Sequence, residues 1–118
     1  MAKILVVDDA AFMRMRCAKL LKEKGHEVLE AANGVQALQI YVECKPDVVL
    51  LDITMPEMDG IQTLRKLKEM DSGVRVAMVT AMGQQSMVIE ALKSGASDFV
   101  VKPFDAGRVL AAVEKLAG

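Results

Sequence analysis

The sequence predicts an α/β protein in which a five-stranded parallel sheet is covered by five helices on both faces. Short apolar runs, such as residues 4–7 and 48–51, alternate with segments of helical spacing along the chain. A continuous apolar run is typical of a strand that is buried on both faces. The 118 residues are enough for one domain but too few for a (β/α)₈ barrel. We therefore expect a single, doubly wound domain over residues 1–118.

Five segments have the composition of strands: residues 3–7, 27–31, 47–51, 74–79 and 98–101. Five others show the helical spacing of apolar residues: 9–24, 35–44, 61–70, 84–94 and 106–117. Gly25 and Gly95 follow two of these helices as C-terminal caps. Pro46 ends the second helix, and Asp105 can cap the last one. The second strand carries Glu30 and is more polar than the first, so we expect it at an edge of the sheet.

Composition and charge exclude several classes of protein. The formal net charge is −1 and no long run of Lys or Arg occurs, which argues against a nucleic-acid partner or a membrane-binding face. No apolar run approaches the roughly 18 residues of a membrane span. Charged Asp8 and Asp9 come too early for a signal peptide, so we expect a cytoplasmic protein. We also expect it to be a monomer. Two cysteines and one histidine do not supply the roughly four ligands of a structural zinc site.

Polar residues follow the ends of four buried strands. In chain order they are Asp8 and Asp9, Asp52, Thr80 and Lys102. In an open α/β sheet, ligands bind beyond the carboxyl ends of the strands, at the point where the strand order reverses. A single aspartate at a strand end often only caps a helix or faces water. Five polar residues at four strand ends indicate a common site instead.

Three carboxylates in one crevice repel one another, so positive charge must offset them. Lys102 supplies one charge, and a divalent cation would supply the rest. Oxygen ligands without nearby His or Cys suit Mg²⁺, with Mn²⁺ as a substitute. The chain has no GxGxxG, GxxxxGK[ST] or GxSxG motif, which argues against dinucleotide, P-loop and serine-hydrolase sites. What remains is an acidic metal pocket with an aspartate able to attack phosphorus.

Four motifs carry a resemblance to a known family: VVDDA at residues 6–10, LLDITMPEMDG at 50–60, VTA at 79–81 and FVVKPF at 99–104. With these motifs the chain resembles the receiver domain of two-component response regulators over essentially its whole length. Within that family it is most similar to the stand-alone chemotaxis regulators, through DDAAFMRM at 8–15 and AMGQQSMVIEALKSGA at 81–96. The resemblance implies a flavodoxin-like fold with the strand order 2-1-3-4-5.

The resemblance also implies how the acidic residues act. Asp52 would accept a phosphoryl group from the phosphohistidine of a histidine kinase. Mg²⁺ would be held by the carboxylates of Asp9 and Asp52 and by the backbone carbonyl of Thr54, with Asp8 acting through water. Phosphoryl transfer needs such positioning and charge stabilisation more than covalent help.

The remaining roles concern the switch and its partners. Lys102 would pair with the phosphoryl oxygens, and its bond to Pro103 is expected to be cis. Thr80 would donate its hydroxyl to the phosphoryl group, and its movement would let Phe99 turn inward. The face of the fourth helix, fifth strand and fifth helix would then bind a target such as a flagellar motor-switch protein, through Gln84, Gln85, Val88, Phe99 and Val101. A phosphatase is a further expected partner.

Two other functions remain open from the sequence. The chain could be the receiver module of a longer regulator with a DNA-binding or enzymatic output domain, although its predicted last helix ends almost at residue 118. It could also be a metal-dependent phosphatase that forms an aspartyl-phosphate. Such enzymes usually carry a second acid two residues after the nucleophile, where this chain has Thr54. We therefore expect a phosphoacceptor rather than an enzyme.

Overall fold

A computed structural model describes residues 2–55, 57–102 and 105–117 and confirms the α/β architecture. The strands are β1 (Lys3–Val7), β2 (Glu27–Ala31), β3 (Val48–Asp52), β4 (Val76–Ala81) and β5 (Asp98–Lys102). The helices are α1 (Ala11–Glu23), α2 (Gly34–Cys44), α3 (Gly60–Met70), α4 (Gln85–Lys93) and α5 (Ala106–Ala117). Within these described ranges, no helix has the length and apolarity needed to cross a membrane.

The strands pair in parallel in the order β2-β1-β3-β4-β5. This order confirms the one that the family resemblance implies. It also places the polar strand β2 at an edge, where charged side chains can reach water. The strand order reverses between β1 and β3, because β1 is followed by β2 on one side and by β3 on the other. The carboxyl ends of β1 and β3 therefore form the crevice in which doubly wound sheets bind their ligands.

The two faces of the sheet bury separate apolar clusters, which explains the uninterrupted apolar runs. Leu5 and Leu51 lie in a cluster completed by α2, α3 and α4. Ile4 and Leu50 lie in a second cluster, completed by α1 and α5. These four side chains are at most 1% exposed, and full burial of such a side chain stabilises a fold by about 1.5–3 kcal/mol. Close packing on both faces fixes the positions of the residues at the carboxyl edge of the sheet.

Three strands extend one or two residues further toward this edge than predicted. β3 includes Asp52, β4 includes Thr80 and β5 includes Lys102. At its other end β4 begins at residue 76 rather than 74, because the Val74 N–H closes a turn on the Asp71 carbonyl. The predicted site residues on these strands therefore belong to the hydrogen-bonded sheet itself.

Helix α1 begins two residues later than predicted, at Ala11 rather than at residue 9. The reason lies in the side chain of Asp8, whose Oδ1 accepts the Ala10 N–H at 2.9 Å. Ala10 has an extended backbone with ψ of 101°. Aspartates that bind a nearby backbone N–H in this way compete with helix formation. Asp8 and Asp9 consequently lie in the loop between β1 and α1.

Gly60, the first residue of α3, lies where the fold has no room for a side chain. Its N–H donates to the Ile53 carbonyl at 2.7 Å. A Cβ at this position would lie 2.1 Å from the Asp52 carbonyl oxygen and 2.7 Å from the Ile53 Cα. Both are backbone atoms at the end of β3, so they cannot move aside cheaply. The glycine allows the start of α3 to pack directly against the end of β3.

We expect Gly60→Ala to lower the free energy of unfolding by about 3 kcal/mol or more, since overpacking typically costs 1–3 kcal/mol even among side chains. Urea unfolding would measure the loss. Gly107→Ala in α5 is the matched control, because its new Cβ would meet Asp105 Oδ1 only at 3.4 Å. That control should be neutral or stabilising by up to about 1 kcal/mol. Equal stability of Gly60→Ala and the wild type would contradict the packing argument.

Candidate functional site

Three aspartates lie together at the carboxyl edge of the sheet. Asp8 follows β1, and Asp52 ends the neighbouring strand β3. Carboxylate oxygens of Asp8, Asp9 and Asp52 lie within 4.8 Å of one another. Asp8 and Asp52 are buried, whereas Asp9 is exposed. The adjacent positions of β1 and β3 in the sheet thus bring side chains 44 residues apart into one acidic cluster.

Lys102 brings an ammonium group to this cluster. Its Nζ lies 3.1 Å from Asp8 Oδ2 and 3.6 Å from Asp52 Oδ2. Lys102 ends β5, so its side chain spans the end of β4 to reach the aspartates on the other side. Two partly buried ion pairs with one lysine hold the ammonium in a fixed place.

The environment shifts the pKa values of these groups. Burial raises the pKa of Asp52 to about 6, because loss of hydration disfavours the charged carboxylate. The Lys102 ammonium opposes this rise, while the charges of Asp8 and Asp9 add to it. For Lys102, burial by itself lowers the pKa, but attraction by Asp52 and Asp8 outweighs burial and raises it. One ammonium therefore faces three carboxylates, and the cluster keeps an excess of negative charge.

The donor set of the cluster fits a hard divalent cation. It consists of three carboxylates, and one of them, Asp9, is open to solvent. Mg²⁺ prefers oxygen ligands, usually binds through one or two carboxylates and keeps several waters, which an exposed side of the site allows. The excess negative charge supplies the attraction. The cluster can thus hold a cation of the predicted class.

Thr80 lies in β4, between the strands that carry Asp52 and Lys102. Its side chain is buried, with 1% exposure. The hydroxyl donates to the carbonyl of the next residue, Ala81, at 2.9 Å. The hydroxyl hydrogen is therefore already used within the backbone of β4. To donate to a group on Asp52, as the resemblance implies, the Thr80 side chain has to turn.

The residues expected to bind a partner line one groove. The groove has a volume of about 420 Å³, and Thr80 is one of the residues that line it. The expected residues on its wall are Gln84, Gln85, Val88, Phe99 and Val101. Phe99 is partly buried against the apolar cluster beneath α4, and Met82 and Ile89 extend the exposed apolar surface. Because Thr80 itself lines the groove, a movement of its side chain would change the shape of the groove wall.

Two expectations from the sequence are not settled by these contacts. The proposed cis bond from Lys102 to Pro103 lies outside the described residues. Thr54 lies two residues beyond Asp52 and is exposed, and its role as a metal ligand through the carbonyl stays a prediction. Its hydroxyl has a different partner, the side-chain amide of Gln84.

Arg14 is a residue near the site that sequence reasoning missed. It lies in the first turns of α1 and donates from Nη1 to the Asp8 carbonyl oxygen at 2.7 Å. Its Nε lies 3.2 Å from Glu30 Oε1 on β2. The arginine thus ties the loop that carries Asp8 and Asp9 to the edge strand. Its place one helical turn beyond the Asp pair was the available signal, but its partners depend on the strand order.

Gln84 is a second residue whose contacts the sequence did not reveal. It was expected on the partner face, and it does line the groove. Its polar atoms, however, bind inside the protein: Oε1 accepts the Ala81 N–H and Nε2 donates to the Thr54 hydroxyl, both at 2.7 Å. The side chain thereby joins the loop after β3 to the loop after β4.

Comparison with known proteins gives a consistent family match. The family described as response regulator receiver domain matches residues 4–114. Among curated proteins, "Chemotaxis protein CheY" of Bacillus subtilis (strain 168) is 57% identical over 114 residues, which cover 96% of this chain and 95% of that protein.

Solved structures agree with the fold. The receiver domain of NtrX from Brucella abortus superposes with a TM-score of 0.94 at 33% identity, covering 97% of both chains. A longer NtrX chain from the same organism gives a TM-score of 0.94 at 33% identity over 98% of this chain. In that comparison this chain spans only 26% of the other chain's length.

We expect Asp52→Asn to be more stable than the wild type at about pH 7.5 when divalent cations are removed with EDTA. Because the folded pKa of Asp52 is raised to about 6 from about 3.9 in the unfolded chain, the wild type loses stability as pH rises between these values. The advantage of Asp52→Asn should therefore shrink toward pH 4. Urea unfolding at several pH values would test this, and a less stable variant at pH 7.5 would contradict it.

Proposed function

Because this chain belongs to the response regulator receiver domains, and is thus a signalling protein, we propose that it accepts a phosphoryl group on Asp52 from a histidine kinase. The observation that carries the proposal is the convergence of Asp8, Asp9, Asp52 and Lys102 at the carboxyl ends of adjacent strands. Structural ion pairs alone do not require three carboxylates around one ammonium. A site that binds a cation and receives a charged group accounts for this excess of carboxylates.

The proposed metal is Mg²⁺, with Mn²⁺ as a substitute. The carboxylates of Asp9 and Asp52 and the carbonyl of Thr54 would hold it, and Asp8 would act through water. When bound, the ion neutralises charge on the phosphoryl oxygens. Asp8 has a further part, since its Oδ2 holds the Lys102 ammonium at 3.1 Å. That contact keeps the lysine beside Asp52, where it can pair with the incoming group.

In the proposed reaction, a carboxylate oxygen of Asp52 attacks the phosphorus of a phosphohistidine on the kinase. The phosphorus–nitrogen bond breaks, and the imidazole leaves and takes up a proton from water. Asp52 has to be ionised to attack. Its pKa of about 6 leaves most molecules ionised at neutral pH, and the Lys102 ammonium favours that state. The chain supplies positioning and charge, which are the main requirements of phosphoryl transfer.

The proposed switch begins with Thr80. Its hydroxyl now donates to the Ala81 carbonyl, and it would turn to donate to the new phosphoryl oxygens. That turn alters the wall of the groove that includes Phe99, whose ring can then move inward. Charge added at Asp52 thus biases the packing of α4 and β5. In this proposal the chain is a phosphoacceptor and not an enzyme that releases a product.

The proposed target is a protein of chemotaxis, such as a flagellar motor-switch protein, with a phosphatase as a second possible partner. The support is the 57% identity to a protein named for chemotaxis, which extends over nearly the whole of both chains. The groove adds support, since it exposes apolar side chains such as Val101, at 40% exposure, on a protein surface.

A specific observation favours a second candidate, the receiver module of a longer regulator. The same fold makes up 26% of a longer NtrX chain. The near-complete coverage of the chemotaxis relative favours the stand-alone protein. The full reading frame of the gene distinguishes the two: an output domain encoded after residue 118 would support the second candidate.

Incubation with Mg²⁺ and acetyl phosphate should add one phosphoryl group to the wild type, because the Asp52 carboxylate can attack phosphorus and displace acetate. Intact-protein mass spectrometry measures the gain. Asp52→Ala should gain nothing, nor should the wild type in EDTA. Glu43→Ala, a change of an exposed acid on α2, is the matched control and should behave as wild type. A wild type that gains no mass, or a gain that persists in Asp52→Ala, would refute the proposal.

Val101→Asp should weaken binding of the phosphorylated protein to a purified motor-switch protein by at least about tenfold, because a charge in an apolar interface loses hydration without gaining a partner. Val42→Asp, on the remote helix α2, is the matched control, since Val42 is also exposed, at 59%. Titration followed by anisotropy would compare the two. Equal weakening by both variants, or by neither, would count against the groove as the target site.

A further inference from the structure

The side chain of Gln84 joins two loops, the one after β4, which contains Gln84, and the one after β3. Its Nε2 donates to Thr54 Oγ1 at 2.7 Å, and its Oε1 accepts the Ala81 N–H at 2.7 Å. Thr54 lies two residues after Asp52, and Ala81 directly follows Thr80. One amide group therefore connects the segment beyond the phosphoacceptor with the segment beyond the threonine that has to turn.

Ala81 is held through both of its backbone groups. Its N–H donates to Gln84, and its carbonyl accepts the Thr80 hydroxyl at 2.9 Å. The hydrogen bond that keeps the Thr80 hydroxyl away from Asp52 thus ends on the same residue that Gln84 fixes. A shift of residue 81 that releases Thr80 would also disturb the bond to Gln84.

Gln84 occupies a position at which a side chain usually caps a helix, but its side chain bonds elsewhere. Gln84 is the N-cap residue of α4, where Ser, Thr, Asp or Asn would normally bind a free N–H of the helix. Its side chain makes no such capping bond. Gly83, with φ of +88°, provides the turn that precedes it. Helix α4 therefore begins without a side-chain cap, and the amide is used between the loops instead.

We propose that Gln84 is a positioning residue that holds both loops in the resting arrangement and so opposes phosphoryl acceptance at Asp52. This inference rests on the proposed function. The two hydrogen bonds stabilise the arrangement in which Thr80 donates to Ala81. An interaction made in only one of two arrangements shifts the balance between them by its own net free energy. Loss of the bonds should therefore increase the fraction of molecules in which Thr80 is free to turn.

The test is the rate of phosphorylation by acetyl phosphate and Mg²⁺, followed by intact mass. Gln84→Met keeps the length of the side chain but removes both hydrogen bonds. The expected rise in rate constant is about three- to tenfold, which is the equivalent of roughly one net hydrogen bond. Gln39→Met on α2 makes the same change of side chain at an exposed glutamine away from both loops; it is the matched control and should leave the rate unchanged.

Thr54→Val removes only one of the two bonds and tests the same idea from the other loop. It should raise the rate by a smaller factor, and Gln84→Met/Thr54→Val should match Gln84→Met alone, because the shared bond can be lost only once. Multiplicative effects of the two substitutions would overturn the inference. So would an unchanged or slower rate in Gln84→Met with an unaltered unfolding midpoint.

These outcomes are separable from failure of the proposed function. If the wild type and the variants all gain one phosphoryl group that Asp52→Ala prevents, the phosphoacceptor proposal stands whatever the rates are. A purely structural role of Gln84 would lower the unfolding midpoint without speeding phosphorylation, and that result would also overturn the inference. Faster exchange of the Ala81 amide hydrogen in Gln84→Met would support it independently, because Ala81 is the donor to Gln84.

Discussion

The site depends on the balance between three carboxylates and one ammonium at the end of a buried sheet. Asp8 and Asp52 are buried beside each other, and Lys102 reaches both from β5. Without the lysine, two buried charges would face each other unpaired, which is costly. With the lysine present, its ammonium pairs with both buried carboxylates, and the cluster keeps a net negative charge. That residual charge is the physical basis for both the cation binding and the reactivity that we propose at Asp52.

The packing of the sheet makes this balance possible. Alternate residues of β1 and β3 enter apolar clusters on opposite faces, so sliding of either strand would disrupt the close packing of both clusters. Gly60 adds a close contact between the start of α3 and the end of β3. The strand ends are therefore fixed, while the loop after β4 is joined to the loop after β3 by the side-chain hydrogen bond from Gln84 to Thr54. This contrast suits a switch, in which rigid groups receive charge and neighbouring loops respond.

Much of the fold was predictable because its elements follow local patterns. Buried strands appear as continuous apolar runs, helices as spaced apolar residues, and Gly25 has the positive φ expected after a helix. The grouping of Asp8, Asp52 and Lys102 follows once these residues are recognised at strand ends, because parallel strands end at one edge. Boundaries such as the start of α1 were less accurate. They depend on single hydrogen bonds, here from Ala10 to Asp8, that leave no periodic signal.

The sequence by itself determined the class of fold, the polar residues at the strand ends and, through its motifs, the family. Only the tertiary structure decided which groups those residues contact. Thr80 donates to Ala81 and not toward Asp52, Arg14 holds the Asp8 carbonyl, and Gln84 reaches a loop thirty residues away. Such contacts depend on strand order, loop conformation and side-chain rotamers together. No residue pattern along the chain encodes them, because the partners become neighbours only when the sheet has formed.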